Sequence, residues 1–118
     1  MAMAKRWIDD FLSLPSEELV RHAQSQLNNG FIPLLIDQHR VIDWKPSSHK
    51  YACSDSRTFA EIMYKVRATY QCGPSRGLLF MCNNSIVNPS FTIGQLYQTH
   101  KSEHGFLIIT IMEEHCFG

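Results

Sequence analysis

The chain has 118 residues, 44% of them hydrophobic, and its 11 basic and 11 acidic side chains cancel at neutral pH. That length suits one domain with an ordinary core, and the balanced charge supplies no global field for nucleic acid or an anionic membrane. The four cysteines, Cys53, Cys72, Cys82 and Cys116, include no C-x-x-C pair, which argues against a small zinc module and for a reducing, cytoplasmic setting. No apolar run approaches the roughly 20 residues of a membrane span, and charges interrupt the start where a signal peptide would need its apolar stretch.

Ala4, Trp7, Ile8, Phe11 and Leu12 recur at three and four positions, the period of a short amphipathic helix. Leu14-Pro15-Ser16-Glu17-Glu18 puts Pro15 at a first helical position with two acids behind it, where the helix dipole stabilises them. This second helix should stop at Asn28-Asn29-Gly30, residues that tolerate a left-handed exit. Phe31 to Asp37 is a short apolar run, so it reads as a buried strand with Pro33 near its beginning, where no ladder bond is needed. After Pro46-Ser47-Ser48, His49 to Ser54 should pair with it as a hairpin.

Thr58-Phe59-Ala60-Glu61 is a capping box. It opens a helix with the stripe Phe59, Ile62, Met63, Val66 and Tyr70, closed by Cys72-Gly73-Pro74. Gly77 to Cys82 is a third strand, turned by Asn83-Asn84 into Ser85-Ile86-Val87. The match of Asn83-Asn84-Ser85 to a glycosylation acceptor is read as that turn. Thr92-Ile93-Gly94-Gln95 repeats the capping box and starts a short helix to His100. Phe106 to Met112 is apolar at nearly every position, as a strand covered on both faces and central in its sheet must be. The order describes an α+β fold, a β-grasp with two additional N-terminal helices. The expected divisions are a helical extension over 1–30 packed on the domain, a core over 31–113 and a flexible tail over 114–118.

The candidate chemistries are weak. His100 and His104 have the spacing of a helical metal pair, but the helix ends between them and no acid completes a zinc motif. Cys53 or Cys82 could be a nucleophile, yet no base or orienting group is identifiable. Glu113 and Glu114 point to opposite faces of a strand. The Gly73 to Gly77 segment lacks the spacing of a nucleotide loop, and Asp9 and Asp10 oppose a membrane role for Trp7, Phe11 and Leu12. No metal, cofactor or catalytic residue is expected. The remaining feature is Phe117-Gly118, where a residue without a side chain lets an active site approach the carboxylate closely.

Thr92 to Gln98 (TIGQLYQ), Gly105-Phe106-Leu107 and Phe117-Gly118 resemble the autophagy ubiquitin-like modifiers of the GABA-receptor-associated-protein type. Lys50-Tyr51, Thr58, Arg67, Leu78 and Phe80 fall in the same register. The resemblance runs without a gap from Lys50 to Gly118, and Pro33 to Asp37 is similar to the family's first strand. It implies a ubiquitin-like fold and conjugation of Gly118 to phosphatidylethanolamine by activating and conjugating enzymes, with Phe117 in tail recognition and a cysteine protease for release. The chain would be a substrate and not an enzyme, cytoplasmic until lipidated and then on the autophagosome membrane.

The resemblance also implies a groove for peptides carrying an aromatic-x-x-aliphatic motif, which adds a strand to the second strand's edge. Its first pocket would use Pro33, Leu35, Lys50, Ala52 and Phe106, and its second Tyr51, Cys53, Arg57, Ile62, Lys65 and Val66. Arg57 and Lys65 stand where the family is usually apolar, Thr69 where it is usually basic, and Ala52 is smaller than the usual Leu. These departures suggest an altered second pocket, unless both cations extend outward and leave it intact. Two other functions are expected as rivals: conjugation to a protein lysine, and a ubiquitin-like adaptor that is never conjugated.

Overall fold

The computed structural model describes residues 7–38, 50–69 and 77–113. The expected beginning of the first helix at Ala4, the Pro46 connection, the helix exit at Cys72-Gly73-Pro74 and the tail from Glu114 to Gly118 lie outside them.

Two helices lead, α1 (Trp7–Leu12) and α2 (Ser16–Asn28). Pro15 is the cap residue of α2, one position before its expected place, with extended backbone (φ −55, ψ 142). Its carbonyl accepts from the Glu18 and Leu19 N–H groups. At the exit, Asn29 keeps φ −88 and Gly30 alone takes the left-handed conformation, at φ +84, because glycine enters it without a steric cost.

The β1 strand (Ile32–Gln38) and β2 (Lys50–Cys53) form the antiparallel hairpin, Pro33 opposite Ala52. The parallel ladder of β1 with β5 (Leu107–Glu113) begins only at Leu34 opposite Leu107, so Pro33 precedes the stretch that needs its missing N–H. Between them come α3 (Phe59–Thr69), β3 (Leu78–Cys82), β4 (Ser85–Ile86) and α4 (Ile93–His100). Asn83 and Asn84 turn β3 into β4 at φ 48 and 63, the doubly left-handed geometry of a tight hairpin. The sheet order is β2-β1-β5-β3-β4, with β5 central.

Strand alternation divides the core between the two sheet faces. On one, Leu34, Ile36, Leu107, Ile109 and Ile111 pack with Phe59, Ile62 and Val66 of α3 and Ile93 and Leu96 of α4. On the other, Leu35 and Phe106 pack with Ile8 and Phe11 of α1 and Leu19 and Ala23 of α2. The leading helices therefore cover the sheet face that a β-grasp with a single helical layer leaves open, which explains why β5 is apolar at almost every position.

Candidate functional site

The β2 strand is an edge of the sheet, and an edge strand offers one row of main-chain donors and acceptors to an incoming strand. Along β2 the side chains alternate. Lys50 and Ala52 share the face of Pro33 and Leu35, their partners across the hairpin, whereas Tyr51 and Cys53 share the face of Leu34 and Ile32.

On the α2 side, Pro33, Lys50, Ala52 and Phe106 line a recess of about 200 Å³ together with His22, Gln26, Leu34 and Tyr51. Phe11 supports this recess from behind. Its ring meets Phe106 edge-on at 5.6 Å and lies 5.5 Å from the Lys50 Nζ, so the ammonium is held over an aromatic face. Leu35, expected in the wall, is not part of it. It is fully buried behind the recess with Phe11, Leu19 and Phe106, because the leading helices close over that part of the sheet face.

On the α3 side the expected second pocket is divided. Tyr51, Cys53, Ile62, Lys65 and Val66 line a narrow recess of about 20 Å³ with Leu34 and Ala52. A wider groove of about 670 Å³ opens beside it between β2 and α3, lined in part by Cys53, Arg57, Glu61, Ile62 and Lys65. Arg57 contributes to the wide groove and not to the narrow recess. The reason is local: its Nη1 donates to Glu61 Oε2 at 2.9 Å, which ties the guanidinium to the start of α3.

The large residues of this groove that went unforeseen are Phe31 and Tyr64. They are large apolar side chains left 44% and 77% exposed. Tyr64 could have been found, since it stands off the buried stripe of α3. Phe31 gave no such signal, because it is continuous with the apolar run of β1.

The electrostatics of the α3 side centre on Cys53. Burial pushes its thiol up to about 11, against opposing fields from Arg57 and then Lys65, so both cations act on this recess. Burial alone pushes Cys82 up to about 12. Neither thiol has the lowered pKa of a nucleophile. The Glu61 carboxyl is held below its ordinary range first by its bond from Arg57 and then by the Thr58 N–H. The two histidines of the metal spacing are separated: His100 Nδ1 is 2.7 Å from Thr99 Oγ1, and His104, beyond the end of α4, has its Nε2 3.3 Å from Ser16 Oγ. Among the described residues no group of three potential ligands could hold a metal ion.

The two smaller recesses lie on opposite faces of one edge strand. In an extended peptide, residues three apart also point to opposite faces, about 10 Å apart along the strand. A strand added beside β2 can thus place residue i in the α2-side recess and residue i+3 over the narrow α3-side recess and the wide groove beside it. The proposed conjugation residues Phe117 and Gly118 lie outside the described residues.

Comparison with known proteins agrees with this architecture. A family model described as autophagy protein Atg8, ubiquitin like, matches residues 18–118. The chain is similar to autophagy-related protein 8 of Candida glabrata, 28% identical over 88 residues, which is 74% of this chain and 75% of that protein. Its fold is similar to the crystal structure of Trypanosoma brucei ATG8, with a TM-score of 0.77 at 18% identity, covering 87% of this chain and 91% of that one. With the match running from Glu18 in α2 through α3, α4 and the whole sheet, the chain belongs to the Atg8 family of autophagy-related ubiquitin-like proteins.

Proposed function

We propose that this chain is a ubiquitin-like modifier joined through Gly118 to the amine of phosphatidylethanolamine, and that it recruits partners through the β2 edge. The observation that carries the reading is the family match extending through Phe117-Gly118, together with a central strand, β5, that leads toward that tail. The α2-side and α3-side recesses flanking an edge strand supply the recruiting surface.

In this reading the chain is the acyl donor on which enzymes act. The Gly118 carboxylate attacks the α-phosphorus of ATP and pyrophosphate leaves. The thiolate of the activating enzyme then displaces AMP, and the acyl group passes to the thiol of the conjugating enzyme. The lipid amine attacks that thioester, forms an amide and releases the thiol. No described helix is long and apolar enough to cross a membrane, and the two acyl chains, at about 0.8 kcal/mol per buried CH₂, would supply the anchor. A cysteine protease would reverse the step. The protein would pass between cytoplasm and autophagosome membrane. The helical extension over 1–30, the core over 31–113 and the tail over 114–118 are its proposed working parts.

The test is incubation with activating enzyme, conjugating enzyme, ATP and phosphatidylethanolamine liposomes. A mass gain of one lipid less one water, lost in Gly118→Ala, is the expected result. No gain with lipid but an isopeptide to a partner lysine would move the chain to the protein-conjugated branch. No adduct of any kind, with peptide binding intact, would leave an unconjugated adaptor.

A further inference from the structure

We infer that the α3-side subsite of this groove takes a carboxylate: the favoured partner is an extended peptide with an aromatic residue and, three positions later, a glutamate or aspartate. This specificity rests on the reading of β2 as a peptide-binding edge.

The argument begins with three residues spaced four apart, Arg57, Glu61 and Lys65, all lining the wide groove. Side chains at that spacing are neighbours along a helix, so Glu61 could in principle serve either cation. It is committed to the N-terminal one. Its Oε2 accepts from Arg57 Nη1 at 2.9 Å, and its Oε1 accepts from the Thr58 N–H at 3.3 Å and the Thr58 hydroxyl at 3.2 Å. Both oxygens are used at the helix start. Lys65 forms no ion pair among the described residues, although it borders both the wide groove and the narrow recess.

The lining of the subsite therefore carries Arg57 and Lys65 against a single carboxylate that is already engaged. The narrow recess includes Lys65 and no acid. An aliphatic side chain settling there would take an ammonium partly out of water with no counter-charge, which costs more than burying the alkyl group returns. A carboxylate would supply that counter-charge and make a charge-assisted hydrogen bond.

The occupant is a peptide strand because β2 is a sheet edge, and the aromatic residue belongs on the α2 side, where the recess of about 200 Å³ backs onto Phe106. The exposed rings of Phe31 and Tyr64 border the wide groove and give the peptide's intervening residues an apolar surface beside the cations.

Three labelled peptides differing at one position each test the assignment: aromatic-x-x-Glu, aromatic-x-x-Leu and Ala-x-x-Glu, titrated at low and high salt. The Glu peptide should bind the unaltered protein roughly tenfold more tightly than the Leu peptide at low salt, with the ratio shrinking as salt screens the pair. In Arg57→Leu/Lys65→Leu the order should reverse, and Lys65→Met alone should remove most of the preference; both side chains are exposed, so the fold should hold. A Leu peptide that binds the unaltered protein as well as the Glu peptide, or a Glu preference that survives the double substitution, overturns the acidic specificity and leaves the groove standing. An Ala-x-x-Glu peptide that binds as tightly as the aromatic one overturns it too, since the cations would then be acting without the aromatic recess. If none of the three binds, the groove itself fails along with its specificity.

Discussion

Thr58 and Thr92 face each other across an isolated antiparallel bridge, and each is the cap of a helix whose first amides are bonded to the lead-in of the other. The Phe59 and Ala60 N–H groups donate to the carbonyls of Phe91 and Pro89, and those of Ile93 and Gly94 donate to Arg57 and Asp55, at 2.7–2.9 Å. The third amide of each helix goes to its own threonine, Glu61 to Thr58 at 3.2 Å and Gln95 to Thr92 at 3.1 Å. The donors that a helix start ordinarily leaves to water are thus consumed between the two elements. This interlock fixes the position of α3, and with it Ile62, Lys65 and the α3-side wall of the groove.

Thr92→Ala should therefore cost about 1 kcal/mol, and Thr58→Ala a similar amount, with Ser restoring most of the loss. Urea unfolding should show a lower midpoint at unchanged slope. A midpoint that does not move for Thr92→Ala would mean that the inter-helix bonds alone hold the start of α4.

Gly94 tests the same interlock by steric means. A Cβ there would stand 2.9 Å from the Asp55 Cβ and 3.1 Å from the Asp55 carbonyl oxygen. Alanine usually stabilises a helix by up to about 1 kcal/mol over glycine. Here the overlap should dominate, and Gly94→Ala should lose roughly 1–3 kcal/mol. A higher melting temperature for this variant would show that the Asp55 turn yields freely.

The capping boxes at Thr58 and Thr92 were legible in the sequence because each needs only four residues in a fixed pattern. The centrality of β5 was legible for a similar reason, since a strand covered on both faces leaves no polar alternation. What no local pattern holds is how the elements meet. Leu35 was misplaced because the closure of α1 and α2 over β1 depends on tertiary packing. Arg57 was expected beside Tyr51 and Val66, whereas it lines the wide groove with Lys65 and not the narrow recess, because its tie to Glu61 depends on a side-chain rotamer. The mutual satisfaction of the two helix starts lies between segments more than thirty residues apart, beyond the reach of any motif.

The two thiols should differ in alkylation. Cys82 is fully buried, and burial pushes it up to about 12, so it should stay unmodified until the protein unfolds. Cys53 is only partly covered, and its thiol sits at about 11. It should react slowly near neutral pH and faster as the pH rises, because the thiolate is the reactive form. A bound groove peptide should slow Cys53 and leave Cys82 unaffected. Site-resolved mass spectrometry after timed iodoacetamide exposure would read this, and equal rates at both sites would contradict the burial.

Glu61 bears on acid stability. Its folded pKa is lowered, first by the Arg57 bond, so the charged carboxylate favours the folded state above the unfolded pKa. That contribution fades as the pH falls through the lowered folded value. Glu61→Gln keeps a capping side chain, as Gln95 shows in α4, but cannot ionise. It should be less stable than the unaltered protein at neutral pH and converge with it in acid. Parallel stability curves across that range would separate the loss from ionisation.

Tyr51 offers the inverse experiment, a deletion that should do no harm to the free protein. Its hydroxyl is buried with no hydrogen-bond partner among the described residues, so folding strips its water and they return nothing for it. Removing such a group can recover about 1–3 kcal/mol of desolvation, whereas the ring, packed against the core beside Cys53, is kept by phenylalanine. Tyr51→Phe should therefore leave the melting temperature unchanged or raise it. A clear loss of stability on this substitution would show that the hydroxyl is satisfied in the folded protein.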